Sequence, residues 1–480
     1  MDYISTRGGA KATPSYAILK GIAPDGGLYV PREFPAVFDK LRDICAYDYQ
    51  ELAFEILSAF LTDFTEDELK RCIASAYTDT FDGDVAPLRK VGEDYFLELF
   101  HGRTAAFKDV ALSILPYLTM TAAEKNGLRE EPVILTATSG DTGKAALAAF
   151  ADVPGTFIVV FFPEDGVSDV QKLQMQTQQG KNVLVVGIDG NFDHAQSGVK
   201  AIFGDEALNA RLHKAGYALT SANSINIGRL LPQVVYYYYA YAQMLKTGGI
   251  SAGEKLDFTV PTGNFGNILA GWYAKRTGLP VGRLICASNS NKVLYDFFST
   301  RTYDKNRPFY KTASPSMDIL ISSNLERFLY HKCGDAGQIR RLMGSLSDGG
   351  KYDFDFESDS DIIGSFADEA EARAAIGKIY ERGYIIDPHT AVAYAAYEKA
   401  GVSGKNVIIA TASPYKFADE VCAAIGADSD DAIEQLSELA EAIGSARAPK
   451  AISELKNKPV LHSRVCAVGD MAGEVEGFLL

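Results

Sequence analysis

The chain has 480 residues, 47% of them hydrophobic, and a formal net charge of -15 at pH 7. This length and apolar content predict a globular protein of roughly three domains with a large buried core. The acidic balance and the lack of a dense Lys/Arg run argue against a nucleic-acid partner, because binding a phosphate backbone requires a basic surface. No apolar run reaches the ~20 residues of a membrane-spanning helix, so we expect no membrane partner.

Cysteine and histidine spacing gives no sign of a metal site. The six cysteines are far apart without a C-x-x-C pair, and the six histidines form no H-x-x-x-H pattern; these are common zinc-ligand spacings. We therefore expect free thiols, a reducing cytoplasmic location and no bound metal. The N-terminal stretch MDYISTRGGAKATPSYAILKG lacks the apolar core of a signal peptide, in agreement with that location.

In chain order, the first unit is a predicted N-terminal accessory domain over residues 1–90, where turn signals such as APDGGLYVP alternate with helical stretches such as YDYQELAFEILSAFL. Residues 131–224 then alternate strand-length apolar runs (PVILTAT, TFIVVFF, NVLVVGI) with helical patterns. Strands of this kind, joined by helices, predict a parallel sheet that is covered on both faces. We interpret residues 131–224 as a small α/β lobe.

A second series of strands, LDFTVPT, RLICASN and NVIIATA, predicts a larger α/β lobe made of residues 91–130 and 225–425. An insertion at about residues 296–360 interrupts the alternation and carries an acidic loop, and residues 426–480 are predicted to form a C-terminal helical segment. The fold class is therefore α/β with two doubly wound lobes. Such sheets bind ligands at the carboxyl ends of their strands, so we expect a cleft between the lobes.

The stretch TATSGDTGKAALAAF, residues 136–150, places Gly-Asp-Thr-Gly-Lys between a strand and a helix. An ATP-binding P-loop requires four residues between its glycines and a Ser or Thr after the lysine. Here two residues separate Gly140 from Gly143, and alanine follows the lysine, so ATP binding is disfavoured. The amides at this helix start, together with Ser139 and Thr142, suit a carboxylate instead.

Lys108 stands among apolar residues in ELFHGRTAAFKDVALSIL. Burial disfavours the charged ammonium and lowers the pKa of a lysine, and a neutral amine can form a Schiff base. Taken alone, this lysine has a more common alternative interpretation, which is a side chain that reaches solvent from an amphipathic helix.

Two further strand ends are candidates for ligand contacts. VPTGNFGNILAGWYAKR, residues 260–276, predicts a strand, a glycine-rich turn and a helix start. Glycines allow close approach of an anion and free helix amides bind it, which predicts a cradle for a single phosphate, with a purely structural turn as the alternative. NVIIATASPYKF ends a strand at Thr411 and Ser413, where a hydroxyl can face a heterocycle nitrogen or simply end the strand.

Six motifs occur in one order: ELFHGRTAAFKD, TATSGDTGKAA, SANSINIGRLLPQ, PTGNFGN, DPHTAVAY and TASPYKF. Together with YISTRGG and APDGGLYVP near the N-terminus, they resemble the threonine synthase family, of the longer bacterial and fungal type, over about residues 1–425. The resemblance implies the tryptophan-synthase-β-like fold (fold type II) of pyridoxal-phosphate enzymes. It also implies conversion of O-phospho-L-homoserine and water to L-threonine and phosphate, the last step of threonine biosynthesis, by a monomer or a homodimer.

The resemblance also implies residue roles. Lys108 would form the Schiff base with pyridoxal phosphate, Thr411 would hydrogen-bond the pyridine nitrogen, and Asp141 would lie near the ring hydroxyl of the cofactor. The cofactor phosphate would be held by the glycine-rich turn, which comprises Gly263, Asn264, Phe265, Gly266 and Asn267. The substrate would be bound by Ser139, Gly140, Thr142, Gly143, Asn223, Asn226 and Arg229.

Two positions depart from the family pattern: Arg103 stands where many relatives have proline, and Ser413 where many have histidine. Two alternatives also remain open. Another fold-type-II lyase, such as a serine/threonine dehydratase, or a sulfhydrylase would share the lysine and the phosphate cradle but would lack the long N-terminal unit and the SANSINIGR stretch. A non-catalytic ligand-binding relative would have no need of the lysine at position 108.

Overall fold

The computed structural model describes residues 1–41, 43–138, 140–164, 167, 169–355, 361–427, 431–445 and 447–480. In this part of the chain the strands are β1 (Tyr3–Ser5), β2 (Tyr29–Pro31), β3 (Leu88–Val91), β4 (Asp94–Glu98), β5 (Glu131–Ala137), β6 (Phe157–Pro163), β7 (Val183–Asp189), β8 (Tyr217–Thr220), β9 (Leu256–Pro261), β10 (Val281–Ser288), β11 (Thr302–Asp304), β12 (Lys351–Asp353), β13 (Ile362–Phe366), β14 (Asn406–Ala410) and β15 (Val465–Ala467).

The α-helices of the same part of the chain are α1 (Pro14–Lys20), α2 (Tyr49–Phe60), α3 (Glu66–Ala76), α4 (Lys108–Leu112), α5 (Leu115–Lys125), α6 (Asp141–Phe150), α7 (Asp169–Gln176), α8 (Phe192–Gly204), α9 (Glu206–Ala215), α10 (Ile227–Lys246), α11 (Gly266–Arg276), α12 (Val293–Thr300), α13 (Leu325–Cys333), α14 (Ala336–Asp348), α15 (Glu369–Tyr380), α16 (Pro388–Ala400), α17 (Ala418–Ala424), α18 (Ala432–Ala442), α19 (Lys450–Ser453) and α20 (Met471–Leu479). None of these helices combines the length and apolarity that crossing a bilayer requires.

The large sheet brings three candidate segments to one edge. Its strand order is β13-β10-β9-β14-β4-β3, and its neighbours are parallel except for the antiparallel pair β3–β4. The glycine-rich turn follows β9, Thr411 follows β14, and the loop leading to Lys108 follows β4. Because β9, β14 and β4 are adjacent and parallel, their carboxyl ends meet, as expected of a doubly wound sheet.

The small sheet has the order β15-β7-β6-β5-β8, and all its neighbouring strands are parallel. Its edge strand β15 comes from the C-terminal segment, so the prediction that residues 426–480 are helical was incomplete. The strand was missed because it has only three residues and buries only the middle one, which is too short for a periodic pattern to be recognised. The boundaries predicted for the domains remain a prediction.

The predicted insertion forms elements of its own and packs on the N-terminal unit. Strands β11 and β12 pair antiparallel, and helices α13 and α14 lie between them in the chain. The acidic loop of the sequence prediction falls partly on residues 356–360, which lie outside the described residues. Glu326 of α13 accepts hydrogen bonds from Thr6 (2.6 Å) and from Arg7 (3.0 and 2.8 Å), so the two units share a buried polar contact.

Arg327 joins three parts of the chain. Its side chain is fully buried, and it donates from Nε to the carbonyl of Tyr29 (3.0 Å), from Nη1 to Oδ1 of Asn324 and from Nη2 to the carbonyl of Ile225. Burial lowers the pKa of Arg327 to about 10, so the guanidinium keeps its charge at neutral pH. One side chain therefore links the N-terminal unit, the insertion and the segment before α10.

We predict that Arg327→Met lowers the free energy of unfolding by about 3 kcal/mol or more, because it leaves three buried acceptors without their donor. Arg382→Met is the matched control: Arg382 is 38% exposed and pairs with Asp94 at 2.8 Å, and such a surface pair contributes about 1 kcal/mol or less. Urea unfolding of the full-length variants measures both effects. Equal destabilisation of the two variants would contradict the bridging role of Arg327.

Candidate active site

Lys108 lies at the start of α4, and its side chain lines a cleft at the carboxyl ends of the large-sheet strands. The amide of Phe107 donates to the carbonyl of Thr411 (2.8 Å), which ties the loop before the lysine to the end of β14. Burial lowers the pKa of the Lys108 amine from its ordinary value; Asp141 opposes this shift, and the positive charges of Lys416 and Arg229 add to it. The structure thus places the predicted lysine with its side chain in the cleft, and its burial favours the neutral amine.

Asp141 begins α6 and is buried beside the lysine. Its Oδ2 is 3.5 Å from Nζ of Lys108 and accepts a hydrogen bond from Ser316 Oγ (3.2 Å). Its Oδ1 accepts from Gln171 (2.9 Å) and from Lys416. Burial alone would raise the pKa of Asp141, but Lys416 and Lys108 lower it below its usual range, so the group is a carboxylate.

The glycine-rich turn forms the N-terminus of α11. Phe265 has a left-handed backbone (φ 64°), and no side chain caps the helix start within the described residues. The first amides of the helix and the positive end of its dipole therefore face the cleft, which suits an anion. All five residues of the predicted cradle line this cleft: Gly263, Asn264, Phe265, Gly266 and Asn267.

Asn267 presents a hydrogen-bond donor that the described part of the protein does not use. Its Oδ1 accepts from the hydroxyls of Tyr236 and Tyr237, both at 2.7 Å, which fixes the orientation of the amide. Its Nδ2 is buried and has no partner among the described residues. Because an unpaired buried donor costs about 1–3 kcal/mol, this group is suited to a ligand acceptor.

Residues of the insertion donate hydrogen bonds to backbone carbonyls of the glycine-rich turn. Ser322 Oγ donates to the carbonyl of Gly263 (2.7 Å), and both the amide and Nδ2 of Asn324 donate to the carbonyl of Asn264 (3.1 and 3.2 Å). A Cβ added to Gly263 would lie 2.9 Å from the carbonyl oxygen of Ser316, whereas one added to Gly266 would lie 3.4 Å from Asn324 Nδ2. Glycine at 263 is therefore required by close approach of the insertion backbone.

The loop before α6 and the first turn of that helix contain the residues predicted to bind the substrate carboxylate. The amides of Gly140 and Gly143 donate to Thr138 Oγ1 (3.0 and 2.9 Å). Their role in binding the substrate carboxylate remains a prediction. Thr142 does line the cleft. Ser139 lies outside the described residues.

In the SANSINIGR stretch, Arg229 lines the cleft, whereas Asn223 and Asn226 are not among the residues that line it. Arg229 lines the cleft, donates from Nη1 to the carbonyl of Ala222 (2.8 Å), and has a buried Nε without a partner among the described residues. Asn226 instead caps α10 and donates to the carbonyl of Ile18 (2.9 Å), so its side chain is already committed. Asn223 is exposed and is not among the lining residues. The substrate-binding roles of Asn226 and Asn223 remain predictions.

The two departures from the family pattern have different surroundings. Arg103 donates to the carbonyl of Ala148 (2.8 Å) in α6, which links the loop before Lys108 to the small lobe. Ser413 is buried, its amide donates to the carbonyl of Ala105 (3.0 Å), and its Oγ has no partner among the described residues. Thr411, two residues earlier, lines the cleft as predicted.

His389 is a cleft residue to which the sequence analysis assigned no role. Its Nδ1 is 2.6 Å from Asp387 Oδ2, and its Nε2 lies 3.2 Å from the amide nitrogen of Ser316, which donates to it, so the ring is held in one orientation. The motif DPHTAVAY contains this residue and was the available signal. The other cleft residues without a predicted role are Phe107, Ser224, Gln233, Pro261, Thr262, Ser316 and Met317.

Family comparisons cover nearly the whole chain. The family described as threonine synthase N terminus matches residues 2–77, the pyridoxal-phosphate dependent enzyme family matches residues 87–413, and the threonine synthase C-terminal family matches residues 390–463. The match to the pyridoxal-phosphate family includes Lys108, the glycine cradle and Thr411.

Individual relatives agree with these families. The chain is 40% identical to human threonine synthase-like 1 over 433 residues, which is 86% of this chain but only 58% of that protein's length. It is 37% identical to threonine synthase of Pseudomonas aeruginosa, covering 88% of this chain and 90% of the relative. Among solved structures, pyridoxal-phosphate-bound threonine synthase of Brucella melitensis aligns with a TM-score of 0.89 at 36% identity, covering 100% and 99% of the two chains. The yeast threonine synthase structure aligns at 0.88 with 31% identity, covering 100% and 98%.

The cleft residues fit pyridoxal phosphate. The cofactor needs an amine for its aldehyde, donors for its phosphate and a partner for its ring nitrogen. Lys108, the first amides of α11 with the unpaired Asn267 Nδ2, and Thr411 provide groups of these kinds around one cleft. The role of each residue remains a prediction.

We predict that Gly263→Ala weakens binding of pyridoxal phosphate by about tenfold to a hundredfold, because the added Cβ displaces the turn and loses a charge-assisted hydrogen bond of about 1.5–3 kcal/mol. Gly266→Ala, whose Cβ would make an ordinary contact with Asn324, is expected to have a smaller effect. Cofactor titration followed by protein fluorescence measures both. Wild-type affinity in Gly263→Ala would show that the cofactor phosphate binds elsewhere.

Proposed function

We propose that this chain, which belongs to the threonine synthase family of pyridoxal-phosphate dependent enzymes, converts O-phospho-L-homoserine and water to L-threonine and inorganic phosphate. The family and the fold class predicted from the sequence are confirmed by the matches and by the solved relatives. The observation that carries the proposed reaction is that Lys108, the anion cradle and the buried guanidinium of Arg229 line one cleft.

Lys108 is proposed as the proton-transfer group. The chemistry that pyridoxal phosphate supplies when bound is an electron sink that stabilises negative charge on the substrate carbon. In this reaction protons leave Cα and Cβ, phosphate leaves Cγ, and the hydroxyl of water adds at Cβ. Protons return to Cγ and Cα, and the proton released by water goes to the leaving phosphate. Burial lowers the pKa of Lys108, so a larger fraction of the amine is neutral near pH 7 and able to accept these protons.

Arg229 is proposed as the group that binds the substrate phosphate. The protein has a net charge of -15, so a dianionic leaving group requires a local cation. Burial lowers the pKa of Arg229 to about 10, which still leaves the guanidinium charged at neutral pH. Its unpaired Nε is a donor available to an anion, and charge-assisted hydrogen bonds of this kind are stronger than neutral ones.

The cellular location and the assembly state are further proposals. All six cysteines are free thiols, which supports the proposed cytoplasmic location. A monomer and a homodimer both remain possible states for the active protein.

The proposed reaction is tested by incubating the cofactor-loaded protein with O-phospho-L-homoserine and measuring threonine and phosphate together. Equal amounts of both products are expected. Lys108→Ala is the matched control: its turnover is expected to fall by at least about a hundred- to ten-thousand-fold, the usual contribution of general-base catalysis. Phosphate released with 2-oxobutyrate in place of threonine would contradict the proposal and indicate a lyase that eliminates phosphate without adding water at Cβ. Turnover of serine or threonine without any of homoserine phosphate would indicate a dehydratase.

A second prediction concerns Arg229. Arg229→Ala is expected to lower kcat/KM for O-phospho-L-homoserine by about tenfold to a hundredfold, because the charge-assisted hydrogen bond available from Nε, of about 1.5–3 kcal/mol, is lost. The inhibition constant of L-norvaline, which lacks the phosphate, is expected to change less than about threefold. Arg229→Lys keeps the positive charge, so its kcat/KM for O-phospho-L-homoserine is expected to lie between those of wild type and Arg229→Ala. Equal losses for substrate and inhibitor would exclude Arg229 from the phosphate site.

A further inference from the structure

Lys416 is a buried cation to which the proposed reaction assigns no role. Its side chain has no solvent exposure, and it lies in the short 3-10 helix Pro414–Phe417 that follows β14. Its amine donates to the carbonyl of Thr104 (3.1 Å) and to Oδ1 of Asp141. A fully buried lysine is rare and costly, so a specific use for this charge is to be expected.

The carboxylate of Asp141 lies between two lysines and can neutralise only one of them. Lys416 makes a direct hydrogen bond to Oδ1, whereas Lys108 is 3.5 Å from Oδ2. Gln171 and Ser316 donate to the same carboxylate, which supports its ionised form. The shorter contact makes Lys416 the counter-ion of Asp141.

Lys108 is consequently surrounded by more positive than negative charge. The charged groups that act on it are Asp141 at the start of α6, Lys416 after β14 and Arg229 on α10. The other titratable side chain lining the cleft is His389, which is oriented by hydrogen bonds to Asp387 and to the amide of Ser316. Two cations and one anion favour a neutral amine at Lys108.

We propose that Lys416 is a positioning residue that pairs with the Asp141 carboxylate and offsets its charge, so that Asp141 does not hold the Lys108 amine as an ammonium. Without Lys416, Asp141 would pair with Lys108 and hold it as an ammonium. The proposal rests on the proposed role of Lys108, but its test requires neither substrate nor turnover. Failure of the proposed reaction and failure of this inference are therefore distinguishable.

The test is a charge cycle at positions 416 and 141. Lys416→Gln leaves one anion beside Lys108, Asp141→Asn leaves only the cations, and the double variant removes both charges. Competitive acetylation of the full-length chain, freed of cofactor so that Lys108 is an amine and not a Schiff base, is carried out over a range of pH. Mass spectrometry of the Lys108 peptide then gives the midpoint pH at which this amine becomes reactive. The exposed Lys70, which pairs with Glu66 at the surface, calibrates the reagent in every sample.

The expected order of midpoints is Asp141→Asn lowest, wild type and the double variant close together, and Lys416→Gln highest. The midpoint of Lys416→Gln is expected to lie at least about one pH unit above that of wild type. The reason is that the Asp141 carboxylate, no longer paired with Lys416, then stabilises the charged form of Lys108. An unchanged midpoint in folded Lys416→Gln would overturn the proposal. If that variant does not fold, Lys416→Met, which also removes the charge and keeps Asp141, replaces it: a midpoint at least about one pH unit above wild type supports the proposal, and an unchanged midpoint overturns it.

Discussion

The buried carboxylate of Asp141 is the interaction around which the site is organised. It belongs to the first turn of α6 in the small sheet's part of the chain, while Lys108 and Lys416 come from segments that follow strands of the large sheet. A buried carboxylate is stable only when cations and donors surround it. Meeting that requirement brings the two sheets together at their carboxyl edges and leaves the cleft between them.

The insertion contacts the same site and is in turn bound to the N-terminal unit. Ser316 contacts both Asp141 and His389, Ser322 holds the turn at Gly263, and Arg327 ties this segment to the N-terminal unit. The contacts made by Ser322 to Gly263 and by Arg327 to Tyr29 are to backbone carbonyls, which any sequence provides. They fix the distance between the insertion and the cradle, and that distance is why position 263 has no room for a side chain.

The parts of the site that sequence analysis predicted are those with a local signal. The cradle is a turn between an apolar strand and a helix, and Lys108 stands in an apolar stretch, so both could be recognised within a few residues. Gly140, Gly143 and Asn226 each have a nearby partner that the sequence did not reveal: the hydroxyl of Thr138 for the glycines and the carbonyl of Ile18 for the asparagine. Their substrate roles remain predictions. Whether a polar group is free or already used depends on neighbours that spacing does not reveal.

The sequence by itself determined the alternation of strands and helices, the family, and the position of the lysine and the cradle, because these depend on short-range patterns of apolar residues and glycine. The tertiary structure alone decided that β15 joins the small sheet, that His389 reaches the cleft, and that Lys416 pairs with Asp141, 275 residues away in the chain. Those contacts join segments far apart in the sequence. They follow from the order of parallel strands and from the need to neutralise buried charge, and neither leaves a mark on neighbouring residues.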